Sequence, residues 1–380
     1  MKYILFQIKR FLYIFYTDSF LFIKNKIKYF KNKTPFYNKK GVPDFNKHKE
    51  IEIKLNKEYY DFYTLQPKNN KPFYNKSLLF TLIQKHKIEI FNNLLKILEL
   101  YNFKLCIGIE LEFYIFNNKN NINIINEIKK ILPQNYIIEE EKGNNQYELK
   151  TYPYTNIKLL TKHYIEILEK INKFCNDESL IFNLSPTPLQ QDCSSALQLN
   201  ISILDNENNN LFARVKNNND YTESPLMLNS IAGLLKNINN NLLLYINNEN
   251  CLERFNIKRN IRIRDNNKYP APTFISWGIN NRSASIRIPT PPFIDLHKYL
   301  EEDKKNRRIE YRIPSSSADI YYVLIGVITG ILDGIDNNLL PHIDKTSFDL
   351  LSKNEGFEKI ETNISIINDI FKINNDYLFY

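Results

Sequence analysis

Cysteine and histidine are the first shortages in this chain of 380 residues, which has four and five of them respectively. Cys106, Cys175, Cys193 and Cys251 are far apart and form no CxxC pair, which excludes a cysteine zinc site and a dense disulfide framework. A reducing compartment, the cytoplasm, fits that usage. The histidines show no His-x-His or HExxH spacing, so a histidine-built metal centre is excluded too. Long apolar runs are also missing. The segment from Phe11 to Ile23 is interrupted by Thr17 and Asp18, and a bilayer span needs about 20 apolar residues. It suits an interfacial helix, a targeting arm or a docking helix. Glycine and methionine are scarce, at nine and two, while Asn, Lys, Ile, Tyr and Phe are in excess. That skew reads as compositional drift, with the Asn-rich runs at 206–210 and 217–219 falling where loops belong. No internal repeat is visible.

Basic charge is unevenly placed. The formal net charge is +9. Residues 1–50 carry 12 Lys and Arg against 3 Asp and Glu, and the remaining 330 are balanced at 39 against 39. All of the excess sits in the N-terminal arm, which suits an anionic membrane surface or a protein partner. The balanced remainder argues against nucleic-acid binding as the main activity. A hydrophobic content of 43% provides for a substantial core.

The apolar pattern predicts a helix over 77–102, a strand over 104–117, a helix at 121–132, strands at 136–141 and 146–152, and a helix over 155–175. Strands follow at 179–184 and 197–204, then a long helix over 223–247. Strands at 273–277, 284–288 and 308–313 precede a helix over 318–335. Residues 31–77 read as a linker or poorly formed region with a possible strand at Ile51–Leu55. Strands and helices mix without regular alternation, so the class is α+β, an antiparallel sheet flanked by helices. The division expected is a basic arm and degenerate region at 1–78 and a catalytic domain at 79–380.

Carboxylates carry the chemistry. Glu110 and Glu112 stand two apart in an apolar strand, so both leave one face, and unpaired carboxylates are costly to bury without a cation. Glu148, with Gln146 two residues before it, repeats the pattern, and Glu140 lies across a turn. Glu310 and Arg312 form another two-apart pair. An oxygen-rich set suits Mg²⁺ or Mn²⁺, ions that commonly accompany substrate phosphates. Arg282 and Arg287 bracket a short segment ending at Pro289 and look suited to anions. Their separation of five places them on opposite faces of a straight strand, so they share a site only if the chain bends between Asn281 and Ala284.

Four motifs together resemble one family. Gly-Ile-Glu-Leu-Glu-Phe at 108–113, Asn-Gln-Tyr-Glu at 145–148, Asn-Arg-Ser-Ala-Ser-Ile-Arg-Ile-Pro at 281–289 and Arg-Arg-Ile-Glu-Tyr-Arg at 307–312 are similar, in order and spacing, to the glutamine synthetase catalytic domain. The resemblance covers roughly 79–345 and implies a glutamine synthetase/guanido kinase-like α+β fold with a curved antiparallel sheet. It implies a ligase that uses ATP and Mg²⁺ or Mn²⁺ to join glutamate to ammonia or another amine through a γ-glutamyl phosphate, and a possible homo-oligomer. By resemblance, Glu112, Glu140 and Glu148 hold one metal ion, and Glu110 and Glu310 hold a second. Arg282, Arg287, Lys305 and Arg308 serve ATP, Arg254 and Arg312 bind the carboxylates of glutamate, and Arg282 and Glu310 are catalytic.

The departures from the pattern cluster. Gln198 replaces the second-metal histidine, with an amide oxygen still able to ligate Mg²⁺, and Asn200 replaces its neighbour. Cys193 stands where an asparagine is usual, Pro270 where a flap glutamate is usual, and Thr187 where a lysine is usual. The Asp-Gly-Ser-Ser loop of the N-terminal β-grasp domain is not found. The nucleotide and metal side is mostly kept and the amine side mostly changed. An altered amine acceptor follows, or a catalytically impaired relative acting as a binding or regulatory subunit.

Overall fold

A computed structural model describes residues 36–37, 43–44, 76–116, 123–217, 220–239, 241–248, 250–291 and 295–362. The segment Phe11 to Ile23 and the possible strand at Ile51–Leu55 lie outside these residues. Two compact units are distinguished, Met1–Phe80 and Thr81–Tyr380. In the first, β1 (Phe36–Tyr37) and β2 (Pro43–Asp44) pair antiparallel. Apart from the first residues of the helix that begins at Lys76, the elements below belong to the second.

The sheet is built from β3 (Lys104–Phe116), β4 (Tyr136–Glu140), β5 (Gln146–Thr151), β6 (Ile181–Asn183), β7 (Leu197–Leu204), β10 (Trp277–Ile279), β11 (Ile286–Ile288) and β12 (Ile309–Tyr311). Its order is β10-β11-β12-β7-β3-β5-β4, with β6 also paired to β3. Every pairing is antiparallel except β10 with β11, which is parallel, so the expected antiparallel sheet is mixed at one edge. A small hairpin, β8 (Val215–Asn217) with β9 (Asp220–Thr222), stands apart from it.

Alternation along the strands decides what each face does. On β3 the residues Leu105, Ile107, Ile109, Leu111 and Phe113 are buried, and Leu197, Leu199, Ile201 and Ile203 of β7 match them. Ile309 and Tyr311 of β12 continue that apolar face. Burial of each such side chain stabilises the fold by about 1.5–3 kcal/mol, which leaves little freedom for register slip. The other face is therefore fixed as well, and it carries the charges.

Helices α1 (Lys76–Leu100), α2 (Ile124–Ile131) and α3 (Ile157–Asp177) are followed by α4 (Pro225–Asn237) and α5 (Leu242–Tyr245). Then come α6 (Asn250–Glu253), α7 (Ile257–Asp265), α8 (Leu296–Asn306) and α9 (Ile320–Asp336). Helix α3 packs on β3 and β6, α2 on β4, and α9 against α4 and α5. The helix predicted over 223–247 is interrupted. Its Asn-rich stretch ends α4, and Asn241 Nδ2 turns to donate to the carbonyl of Gly326 at 3.1 Å. Asn side chains compete with the helical main chain in this way. Helices α7 and α8, polar and rich in Lys and Arg, lacked the apolar stripe by which a helix is recognised.

Asparagine also substitutes for the scarce glycine. Seven described residues other than glycine have positive φ, and six of them are Asn: 102, 145, 208, 267, 280 and 338. Asparagine tolerates this region better than other side chains. Asn123, Asn156 and Asn256 cap α2, α3 and α7 by accepting a main-chain N–H. The asparagine excess is thus structural at these positions, not drift alone.

Candidate active site

The polar face of the sheet gathers side chains from five strands. Register places Glu112 opposite Glu148, Glu110 opposite Lys150 on one side and Gln198 on the other, Asn200 opposite Glu310, and Glu310 opposite Arg287. Cross-strand partners share a face, so these residues line a single surface. Above it lies a cleft of about 200 Å³, lined by Glu110, Glu112, Glu141, Glu148, Gln198, Arg254, Arg282, Arg287, Glu310 and Arg312 among others. Cys193, Tyr269 and Pro270 line it as well.

Glu112, Glu141 and Glu148 each offer a carboxylate oxygen, and the three lie within 4.8 Å of one another. Glu141 takes the place expected for Glu140. The reason is strand parity: Glu140 pairs with Tyr147, on the opposite face from Glu148, and its side chain is exposed. Just past the end of β4, Glu141 returns to the Glu148 face, with its N–H donating to the Gln146 carbonyl at 2.9 Å. The period of two separates Glu140 from Glu141, but only the register, with Glu139 opposite Glu148, tells which of them shares the Glu148 face.

Burial raises the Glu112 carboxyl to about 7 against the pull of Arg254 and Arg312. Burial, reinforced by Glu110 and Glu112, raises Glu148 to about 8. Carboxylates held this close with raised values favour a shared cation, and an all-oxygen set fits Mg²⁺ or Mn²⁺. The donors already on Glu112 are neutral and compatible with an ion: Gln198 Nε2 at 2.7 Å and the Ala196 N–H at 2.9 Å. Lys150 pairs with Glu148 at 2.8 Å.

The second expected set is arranged otherwise. Arg287 Nη1 donates to Glu310 Oε2 at 2.6 Å, and Arg312 Nη1 donates to Glu310 Oε1 at 2.7 Å. Burial alone would raise Glu310, but Arg312 and Arg287 hold it below the usual carboxylate range. Arg312 Nη1 also donates to Gln198 Oε1 at 3.0 Å, which turns that oxygen away from ligation. Asn200 repeats the pattern, donating through Nδ2 to Glu110 at 2.9 Å and accepting from Arg308 Nε at 2.7 Å. The Glu110, Gln198 and Glu310 set therefore does not fit a second ion as arranged.

Of the expected anion-binding residues, Arg282 and Arg287 both reach the cleft. The bend they require is a turn at 281–284, where the Ala284 N–H donates to the Asn281 carbonyl at 3.3 Å. Arg282 stacks on the Tyr269 ring at 4.9 Å, and Lys142 approaches the same ring at 5.8 Å. Arg308 faces a neighbouring cavity with Pro289 and Arg307. Lys305 is not brought in. It lies on the exposed side of the last turn of α8, and neither cavity includes it.

Arg254 is buried at the floor, where its terminal nitrogens donate to the carbonyls of Ile313 and Arg312, both at 2.7 Å. It supports the strand end that carries Arg312. Arg259, on α7, was not singled out by sequence, yet it grips the 189–194 loop through Ser194 Oγ at 2.6 Å and the Asp192 carbonyl at 2.5 Å. Its only sequence trace is a basic residue in a polar helix. Burial pushes the Cys193 thiol up to about 11, so it is no thiolate nucleophile at neutral pH.

A mixed sheet with helices against its apolar face, and with a carboxylate cluster beside arginines on its polar face, defines a catalytic domain of the metal- and anion-handling kind. The chain belongs to the glutamine synthetase catalytic-domain family, whose model matches residues 123–364. Among curated proteins it is 24% identical over 220 residues to the gamma-glutamylputrescine synthetase of Escherichia coli, covering 58% of this chain and 41% of that one. It is 27% identical over 206 residues to the glutamate–methylamine ligase of Methyloversatilis universalis, covering 54% and 42%. The chain thus spans about two fifths of the length of these relatives. A solved structure of a GmaS/ADP complex shares the fold, with a TM-score of 0.57 at 14% identity over 74% of this chain and 67% of that one.

Proposed function

We propose that this chain is an ATP- and Mg²⁺-dependent ligase that joins the side-chain carboxylate of glutamate to an amine through a γ-glutamyl phosphate. The observation that carries the reading is the Glu112, Glu141 and Glu148 cluster facing the same cleft as Arg282, Arg287 and Arg312. A divalent ion at the cluster supplies charge neutralisation for a phosphate group. Arg282, an exposed cleft residue with no ion pair among the described residues, is the residue suited to hold phosphate oxygens. Arg312, a cleft residue, is the group assigned to the glutamate carboxylate, and Arg254 sets its position by holding the main chain at Arg312 and Ile313.

The amine side supports an acceptor other than ammonia. Pro270 and Cys193 line the cleft and offer neither a carboxylate for an ammonium ion nor, at neutral pH, a base for its proton. Relatives named for putrescine and for methylamine support this reading. The family's homo-oligomers extend to this chain as part of the same proposal. Among the described residues no helix is long and apolar enough to cross a membrane.

The test is calorimetric titration with ATP and Mg²⁺, followed by glutamate-dependent ADP release over a panel of ammonia, methylamine, diamines and amino acids. Absence of nucleotide binding would sink the proposal. The clamped Glu310 favours a second reading, a catalytically impaired relative that binds nucleotide. Binding without ADP release from any amine would select it.

A further inference from the structure

The charges beneath the cleft divide into two groups that differ in what they lack. Glu112, Glu141 and Glu148 are three carboxyl groups whose oxygens lie within 4.8 Å of one another with one paired lysine, Lys150, on Glu148. Glu310 is paired with both Arg287 and Arg312, and Glu110, which lines the same cleft, accepts from Asn200. We propose that the Arg287–Glu310–Arg312 clamp stands in place of a second divalent cation, so that the chain holds one metal ion, at Glu112, Glu141 and Glu148. This rests on the metal-site part of the reading above and is independent of whether the chain turns over substrate.

Two features beyond proximity support a built device. Glu310 is buried, and both of its oxygens are bonded to guanidinium groups at 2.6 and 2.7 Å, the short geometry of charge-assisted bonds. A divalent ion at that carboxylate would meet two arginines that cannot be deprotonated. Gln198 then fixes the arrangement. An amide has one donor end and one acceptor end, and here the acceptor end can face only Arg312 and the donor end only Glu112. A neutral histidine presents a single lone pair and would have to choose between a metal and Arg312. Glutamine makes the choice in favour of arginine while still donating to the carboxylate of the remaining metal site. Asn200 makes the same kind of bridge between Arg308 and Glu110, which occupies the other acid of the second set.

Catalytically, a guanidinium at this position supplies a fixed positive charge that does not depend on the concentration of free metal. Arg287 and Arg312 are cleft residues, so the charge faces the same space as the metal cluster.

The experiment is Mn²⁺ binding to the full chain without nucleotide, followed by electron paramagnetic resonance of free Mn²⁺ and by water proton relaxation. One ion per chain is expected, with no dipolar broadening from a neighbouring ion. Glu112→Gln should abolish that binding or weaken it at least tenfold, and Glu310→Gln should leave the count at one. Two ions of similar affinity on the unaltered chain would overturn the proposal, as would no ion at all. Loss of the ion in Glu310→Gln with retention in Glu112→Gln would overturn it as well. If a variant fails to fold by circular dichroism, the count on the unaltered chain still decides. Failure of ADP release leaves this result untouched, so the two readings fail separately.

Discussion

Raising the pH from 6 to 8 should tighten divalent-ion binding at Glu112, Glu141 and Glu148 by at least about tenfold. A protonated carboxyl is no ligand, so an ion that binds below its titration point must first displace a proton. Burial holds Glu112 at about 7, so its ionised fraction rises from about a tenth at pH 6 to about nine-tenths at pH 8. Glu148 is raised further, with Glu110 and Glu112 adding to the effect of burial, and steepens the dependence. The stability of the metal-free protein should run the other way. With folded-state values above the ordinary 4.5, the fold prefers these groups protonated. Their contribution is full below about 4.5 and is lost as the pH rises through the interval up to about 8. Mn²⁺ calorimetry in two buffers of different ionisation enthalpy measures both the affinity and the protons released. Equal affinity at pH 6 and pH 8, with no proton release at pH 6, would refute the reasoning.

Four substitutions probe other parts of the argument. Glu141→Gln should weaken Mn²⁺ binding by about tenfold or more, while Glu140→Gln leaves it unchanged, a comparison that calorimetry reads directly and that equal effects would contradict. Arg254→Ala strips partners from the buried carbonyls of Arg312 and Ile313 and should cost about 2–5 kcal/mol in urea unfolding, an effect of under about 1 kcal/mol counting against its supporting role. Gly233→Ala puts a methyl group 2.1 Å from the Gly330 carbonyl oxygen, where α4 meets α9. Overpacking of this kind costs about 1–3 kcal/mol, and an unchanged urea midpoint would show that the helices separate freely.

The parts of the fold that were legible are those where burial writes a period into the chain. The strand over 197–204 was located to the residue because its Leu and Ile positions alternate against β3. The strand expected at 273–277 meets the observed one only at Trp277, and the one expected at 308–313 is cut to Ile309–Tyr311, since each contributes three residues to the sheet and a period of two hardly shows over three positions. Helices α7 and α8 were invisible for the opposite reason. Their buried residues include Arg259, Asn260 and Asp303, which are held by polar bonds rather than by an apolar stripe.

The candidate site was legible one residue type at a time, and its errors come from partners that sequence does not bring together. Glu110 and Glu112 announce a shared face because they sit on one strand, whereas Glu140 and Glu141 compete for that face, and only the β4–β5 register decides between them. Arg287 reads as an anion-binding residue from its chemistry, and Arg312 does so by the family resemblance. Arg312 stands two residues from Glu310 on one stretch of chain, but that Arg287 also spends its nearest bond on Glu310 depends on β11 and β12 being neighbours, which a motif list does not contain. The same holds for Gln198. Its replacement of a histidine looks like a lost ligand in one dimension, but between Arg312 and Glu112 it is a polar bridge satisfied at both ends. A lost ligand with no further role would leave a buried amide unpaired, which costs about 1–3 kcal/mol and is seldom left uncorrected. The pairing of both ends is therefore the physical reason to treat position 198 as part of a rearranged site and not as the remnant of an abandoned one.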